Sequence, residues 1–453
     1  MVKFMENILK VGYSKVDITP KLGIDIAGYF KTRKADGVLD NLYAIALTLS
    51  LGDKTTAIIS IDCLVVYKEI ADKWKELICA KTGISKDAIL IHGTHTHTGP
   101  QLNAKVGDEL VKNNVEILID KIVDSVILSL QDQKPAKMGY GIGKAPNISF
   151  IRRYKMKDGT TKTNPGVNNP DIVGSKGEVD ENVNVIRFDR DGAETIVLAN
   201  FGTHPDTIGG NKISGDWPSL TRNFVEKAID NTKCIFLNGA EGDVNHVNVF
   251  PRGGDLNGMF IDFDDVARGY SHAKHMARVV AGAVMQVYEK VNYVSVDSLN
   301  YCCKDVEFYT NKGTEEQLVT ARKYVALHDA GRDEEIPYKA MMLITVLAES
   351  KRMLMLENAP EKMPMTFTAI SIGKIALFGI PGEPFTDIGR GLKQTEGFDL
   401  VLPCCLVNSY EGYFPMKDSY DEGGYEGKTS RWQRGTGERI IEVGQKMLKD
   451  LIK

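Results

Sequence analysis

Short apolar runs of strand length alternate along the chain with longer segments of helical period. Residues 44–51 (AIALTLSL) and 56–61 (TAIISI) flank the turn Gly52-Asp53-Lys54, the pattern of a β-hairpin. In 69–81 the apolar side chains Ile70, Ala71, Trp74, Leu77 and Ile78 recur at helical spacing. Residues 88–92 (AILIH) read as a short buried strand running into Gly93 and the polar stretch 94–100. A long amphipathic helix is predicted over 109–130.

The middle and end of the chain repeat this grammar. Residues 183–188 and 195–201 pair across Asp191-Gly192, and the second strand runs into Gly202-Thr203-His204-Pro205. A strand at 234–237 enters the loop 238–245, and a helix follows at 271–289. Residues 315–356 read as a helical hairpin broken near 331–337. A strand pair over 366–378 turns at Gly373-Lys374 and leads into 379–384. A strand at 401–407, a Tyr- and Gly-rich loop and a closing helix at 438–452 complete the chain. Strands and helices are mixed without strict βαβ alternation, and no linker or repeat interrupts them. One domain spanning 1–453 is expected, with the 315–356 hairpin as an insertion.

Composition narrows the function classes. The chain has 453 residues, 43% of them apolar and 26% charged, enough to bury a large core without staples. A net charge of −4 excludes a generally basic nucleic-acid binder and offers no polybasic lipid anchor. No apolar run approaches the roughly 20 residues of a membrane helix, and Glu6, Asn7 and Lys10 interrupt any signal-like core at the N-terminus. Seven cysteines, with no C-x-x-C, suit reduced thiols in a cytoplasmic protein. These features predict no nucleic acid and no stable membrane association; oligomeric state stays open.

Chemistry-bearing residues recur at strand exits. Three of the eight histidines lie within 92–97. In His95-Thr96-His97 an extended exit puts both rings on one face, so a metal can take one or both. His204, in FGTHPD, is held extended by the following proline. Glu383, in GIPGEPF, lies on a stiff loop between prolines. Singly, each also fits a polar turn or a satisfied core residue. There is no H-E-x-x-H, no G-x-G-x-x-G or P-loop phosphate cradle, and no G-x-S-x-G elbow.

Six motifs in order resemble the neutral/alkaline ceramidase family of zinc-dependent amide hydrolases. They are VGYSKVDITPKLGIDIAGY, GTHTHTGP, FGTHPDT, NGAEGDVN, GIPGEPFT and NSYEGYFPMKDSYDEGGYEG. The resemblance implies an α/β fold, with mixed β-sheets at the centre flanked by helices. It implies that His95, His204, Glu383 and Tyr413 bind Zn2+. It also implies that His97 and Tyr425 contact substrate or transition state, and that an arginine of FIRRY, matched to Arg152 with Arg153 beside it, serves the active site. Zinc would lower the pKa of a water to about 7, Arg152 and Tyr425 would stabilise the oxyanion, and His97 would shuttle the proton.

Departures from the family pattern shape the functional expectation. Where the family has G-D-V-S-P, this chain has Gly242-Asp243-Val244-Asn245-His246. Asn245 is no nucleophile but can hold a polar substrate group. The six motifs span only the family's catalytic domain, so its C-terminal immunoglobulin-like domain is expected to be absent. The leading expectation is a zinc-dependent hydrolase of an amide, or an ester, in a small soluble molecule. The alternatives are true ceramidase activity and an inactive binding homologue.

Overall fold

The computed structural model describes residues 8–30, 32–262, 264 and 266–452. The signal-peptide reading rests largely on residues 1–7, outside this range. Most predicted elements appear within a few residues of their expected bounds. Tyr43–Leu51 and Lys54–Ile61 form the first hairpin, and Lys68–Thr82 and Glu109–Gln131 are the two early helices. The hairpin at 315–356 resolves into Glu315–Asp329 and Ala340–Leu356, the first opened by a Thr314/Gln317 capping box.

Nine strands form the main sheet. Eight follow in the order Thr232–Asn238, Thr195–Phe201, Asn182–Arg190, Lys134–Lys144, Lys10–Asp17, Tyr43–Leu51, Lys54–Ile61 and Ile89–Gly93; Asn292–Val294 pairs beside Lys134–Lys144. A second sheet orders Leu299–Tyr309, Lys362–Ile372, Ile375–Gly379 and Leu400–Cys404. The period of two sorts side chains between layers. Ala46 and Ile59 face a core with Trp74 and Ile122 of the early helices, whereas Leu47 and Ile58 face Ile370, Leu377 and Leu402 of the second sheet. Helices Asp216–Ala228 and Tyr270–Tyr288 cover the other end of the main sheet through Trp217, Met276 and Val280. Helix Thr436–Leu451 covers Phe367 and Phe378 of the second sheet. The result is the mixed α/β architecture expected, with sheets inside and helices outside.

Three differences from the sequence pattern have physical causes. Strand Lys134–Lys144 carries glycines at alternate positions, a composition that disfavours strands in isolation. A β-carbon on Gly143 would lie 2.1 Å from the Ala283 carbonyl oxygen, so the glycines let helix Tyr270–Tyr288 press onto the strand. The strand expected at 401–407 ends at Cys404, because Leu406 turns into the left-handed region (φ 51°). Helix Asp216–Ala228 has no side-chain N-cap to mark its start.

The outer strands of the main sheet meet at their ends. Ser60 Oγ donates to the Phe236 carbonyl at 2.7 Å, and the Asn238 N–H donates to His92 Nε2 at 2.9 Å. The Cys405 N–H in turn donates to the Asn238 carbonyl, at 3.1 Å. The exits of Ile89–Gly93, Thr195–Phe201, Thr232–Asn238 and Ile375–Gly379 therefore open onto one place. Carboxyl ends of parallel strands are where loops of this fold class carry chemistry. Among the described residues no helix is long and apolar enough to cross a membrane, and all seven cysteines are free.

Candidate metal centre

His95 follows Gly93, the last residue of its strand, and takes a left-handed φ of 73°. That conformation is unusual for a non-glycine residue. The His95 N–H donates to the Cys63 carbonyl and Nδ1–H to the Leu64 carbonyl, both at 2.9 Å, which hold it there. The left-handed turn, not an extended exit, brings the pair together, with His97 Nε2 3.4 Å from His95 Nε2. Gly28 makes the approach possible, since a β-carbon there would lie 2.7 Å from His97 Cα. His92, still on the strand, is buried and occupied by the Asn238 N–H.

His204 emerges just beyond Phe201, and its Nδ1–H donates to the Glu241 carbonyl at 3.2 Å. Carbonyls on both Nδ1 atoms leave the Nε2 atoms facing one another, 3.2 Å apart. Glu383 completes the group from the third exit. It begins the two-residue strand Glu383–Pro384, which pairs in parallel with Tyr413–Phe414. Tyr410 Oη donates to Glu383 Oε1 at 3.0 Å. Oε2 is buried without a hydrogen bond, 3.6 Å from His95 Nε2 and 3.4 Å from His204 Nε2. Tyr413 Oη lies 3.5 Å from His204 Nε2.

The electrostatics favour a positive charge on the imidazole nearest the carboxyls. Burial alone would lower the His95 pKa, but Glu241 and Glu383 outweigh it and draw it up to about 9. Burial would raise Glu383, but His95 holds it well below the usual carboxylate range. His204 is pushed down to about 3 by burial, Arg152 and His95. Burial and the neighbouring His95 keep His97 neutral, with its Nδ1 unpartnered. His95, His204, Glu241 and Glu383, all buried, offer ligand atoms within 4.8 Å of one another, and His95, His97 and His204 form an overlapping group. This His/Glu cluster is able to coordinate a divalent metal.

Comparison with known proteins places the chain in a family. The profile "Neutral/alkaline non-lysosomal ceramidase, N-terminal" matches residues 9–259, more than half of the chain. The chain belongs to the neutral/alkaline non-lysosomal ceramidase family. It is 22% identical to neutral ceramidase A of Dictyostelium discoideum, over 94% of this chain and 70% of that protein. The crystal structure of neutral ceramidase from Pseudomonas aeruginosa shares the fold, with a TM-score of 0.71 and 17% identity over 97% of this chain and 74% of that one. A ceramidase complexed with C2 matches equally, with a TM-score of 0.71 and 15% identity over 98% and 76%.

The other predicted residues of this ceramidase-family chain divide by position. The Arg152 guanidinium lies 5.4 Å from the Tyr413 ring centroid and is held by Glu426 Oε1 (2.7 Å) and the Gly242 carbonyl (2.9 Å). Arg153 turns away, to Ser419 and Glu422. The Tyr425 ring is 5.6 Å from Tyr413. Asn245 is committed elsewhere: its Nδ2 donates to Asn164 Oδ1, and its Oδ1 accepts from the Val247 N–H.

Sequence reasoning passed over Glu241 and Tyr410. Glu241 carries the same signal as Glu383, an acid soon after an apolar strand, but its setting between Ala240 and Gly242-Asp243 has the composition of a solvated turn. Tyr410 lies inside the quoted NSYEGY motif, three residues before Tyr413.

Proposed function

We propose that this chain is a zinc-dependent hydrolase of an amide bond, or an ester, in a small polar substrate. The observation that carries this reading is the spacing of the donor atoms. A tetrahedral zinc site with bonds of about 2.0–2.1 Å sets its ligand atoms about 3.3–3.4 Å apart. The three contacts among His95 Nε2, His204 Nε2 and Glu383 Oε2 are 3.2, 3.4 and 3.6 Å, and Tyr413 Oη is 3.5 Å from His204 Nε2. The orphaned Glu383 Oε2 supports the same fit. His95, His204, Glu383 and Tyr413 would hold the ion. Bound zinc supplies Lewis acidity toward a carbonyl oxygen.

The chain's own groups do the rest. Neutral His97 starts as a proton acceptor, takes a proton from the attacking water, and returns it to the leaving nitrogen. Arg152 presents a fixed positive charge beside Tyr413, where the oxyanion develops, and the Tyr425 hydroxyl donates to the same charge. Asn245, bound to Asn164, supports the wall of the substrate cavity.

That cavity, of about 430 Å³, is lined by Asn164, Lys339, Met341, Met342, Tyr425 and Lys428 among others. A substrate arm here meets threonine hydroxyls and lysines as well as apolar side chains. The exposed lining is mainly apolar, and Thr163 Oγ1, Thr345 Oγ1 and Lys428 Nζ already have partners in Glu426, the Met341 carbonyl and Glu349, so an apolar arm is accommodated as well. Free thiols throughout support a reducing, cytoplasmic setting.

Family membership and the names of the relatives favour a second reading, hydrolysis of ceramide itself. Comparing kcat/KM of the zinc-loaded protein on short polar N-acyl amides, their esters and detergent-dispersed ceramides tests both. The first reading expects the polar amides to lead. Efficient ceramide turnover without gain on the polar set favours the second. Turnover of none, by metal-loaded protein, leaves a binding homologue.

A further inference from the structure

We infer that Glu241 is a positioning carboxylate for the metal centre, acting through His204 and as a buried counter-charge to the ion. The inference rests on the reading of His95, His204 and Glu383 as the residues that hold metal. Glu241 is fully buried in the loop after strand Thr232–Asn238. Its Oε2 lies 3.3 Å from His204 Nδ1, and its carbonyl accepts from the same nitrogen at 3.2 Å. One residue thus grips the outer nitrogen of His204 with both backbone and side chain, and turns Nε2 toward His95.

The carboxylate is built in, not stranded. Asn238 Nδ2 donates to Oε2 at 3.3 Å, and Cys405 Sγ donates to Oε1 at 3.5 Å. Asn238 is itself tied to His92 through its N–H, so strand ends on both sides fix the group. Its position differs from that of Glu383. Glu383 Oε2 sits between the two Nε2 atoms, at 3.6 and 3.4 Å, whereas Glu241 Oε1 is 3.9 Å from His95 Nε2 and its Oε2 faces Nδ1. That places Glu241 behind His204 as an orienting partner, the carboxylate–histidine–metal arrangement. Beside Glu383 it places a second buried carboxyl next to the histidines, so that with a divalent cation bound the two carboxylates would match its charge.

The test is zinc affinity, measured by competition with a chromophoric chelator, together with melting temperature with and without zinc. Glu241→Gln fills the same space and removes the charge. It is expected to weaken zinc binding by about 10–100-fold. The metal-free variant should melt no lower than the metal-free parent, while the rise in melting temperature on adding zinc shrinks. Glu241→Asp, which keeps the charge, should recover part of the affinity. Unchanged affinity in Glu241→Gln overturns the inference. A loss as complete as that of His204→Ala also overturns it, by making Glu241 a ligand. If His204→Ala binds zinc as tightly as the parent, the reading of the centre itself fails. Loss in His204→Ala with none in Glu241→Gln removes only the role of Glu241.

Discussion

Glu383 and Tyr413 stand opposite one another in a two-residue parallel ladder, tied by the Glu383 N–H to the Gly412 carbonyl at 2.9 Å. Thirty residues apart in the chain, they reach the same point as His204 because the ladder fixes their register. Backbone pairing of this kind holds side chains more precisely than a free loop. It also brings Tyr410 within reach of the Glu383 oxygen that does not face the histidines.

Tyr410→Phe should therefore loosen Glu383 without removing a donor to the ion. The Oε1 atom loses its hydrogen bond, and the carboxylate can rotate. Zinc affinity is expected to fall by about 10-fold, the low end of outer-shell effects, with little change in the fold. Chelator competition and circular dichroism on the same preparation check both parts. Affinity equal to that of the parent would show that Tyr410 does not orient the group.

His95 and His97 should separate on mutation. His95→Ala should lose zinc and turnover together, because His95 Nε2 is within 3.2 Å of His204 Nε2 and 3.6 Å of Glu383 Oε2. His97→Ala should keep most of the zinc and lose about 10²–10⁴-fold in kcat, the usual contribution of a positioned acid/base. Metal content and single-turnover kinetics on the two variants read this out. Release of zinc by His97→Ala with retention by His95→Ala would exchange their roles.

The parts of the site that the sequence made legible were those whose neighbours left them no ordinary task. His95 and His97 lie in a tight Gly-flanked stretch, His204 precedes proline, and Glu383 lies between prolines. Glu241 was hidden by turn-like neighbours, because burial in a loop depends on what packs over it, here Cys405 and Asn238. The turn at His95 was also hidden, since hydrogen bonds to Cys63 and Leu64 override the extended exit that periodicity suggests. In the fold, elements with strong periods were legible. The glycine-bearing strand Lys134–Lys144 was not, because its stability comes from helix Tyr270–Tyr288. Sheet order was beyond reach: Lys10–Asp17 joins Lys134–Lys144 through only two residue pairs.

Asp216 gives a pH-dependent stability that is independent of the metal. It is buried, and burial raises its pKa to about 7 against the Trp217 and Ile208 N–H groups that stabilise its charge; the Asp206 charge pushes it the same way. The native state then holds a proton that the unfolded chain, titrating near 3.8, has released. Stability from this group is complete below about pH 4 and is lost as pH rises toward 7. Asp216→Asn, which tolerates the left-handed φ of 54°, should remove that slope. Urea unfolding at pH 5 and pH 7.5 should show a smaller difference in the variant than in the parent. An equal difference in both would mean that Asp216 ionises normally.

The central claim is that four strand exits build one zinc site. Elemental analysis of protein purified without chelators, and of metal-free protein reconstituted with zinc and desalted, tests it most directly. The parent should carry one zinc per chain, and the double variant His95→Ala/His204→Ala should carry less than about a tenth of that. No transition metal in the parent even after reconstitution, or full zinc occupancy in the folded double variant, would contradict the account.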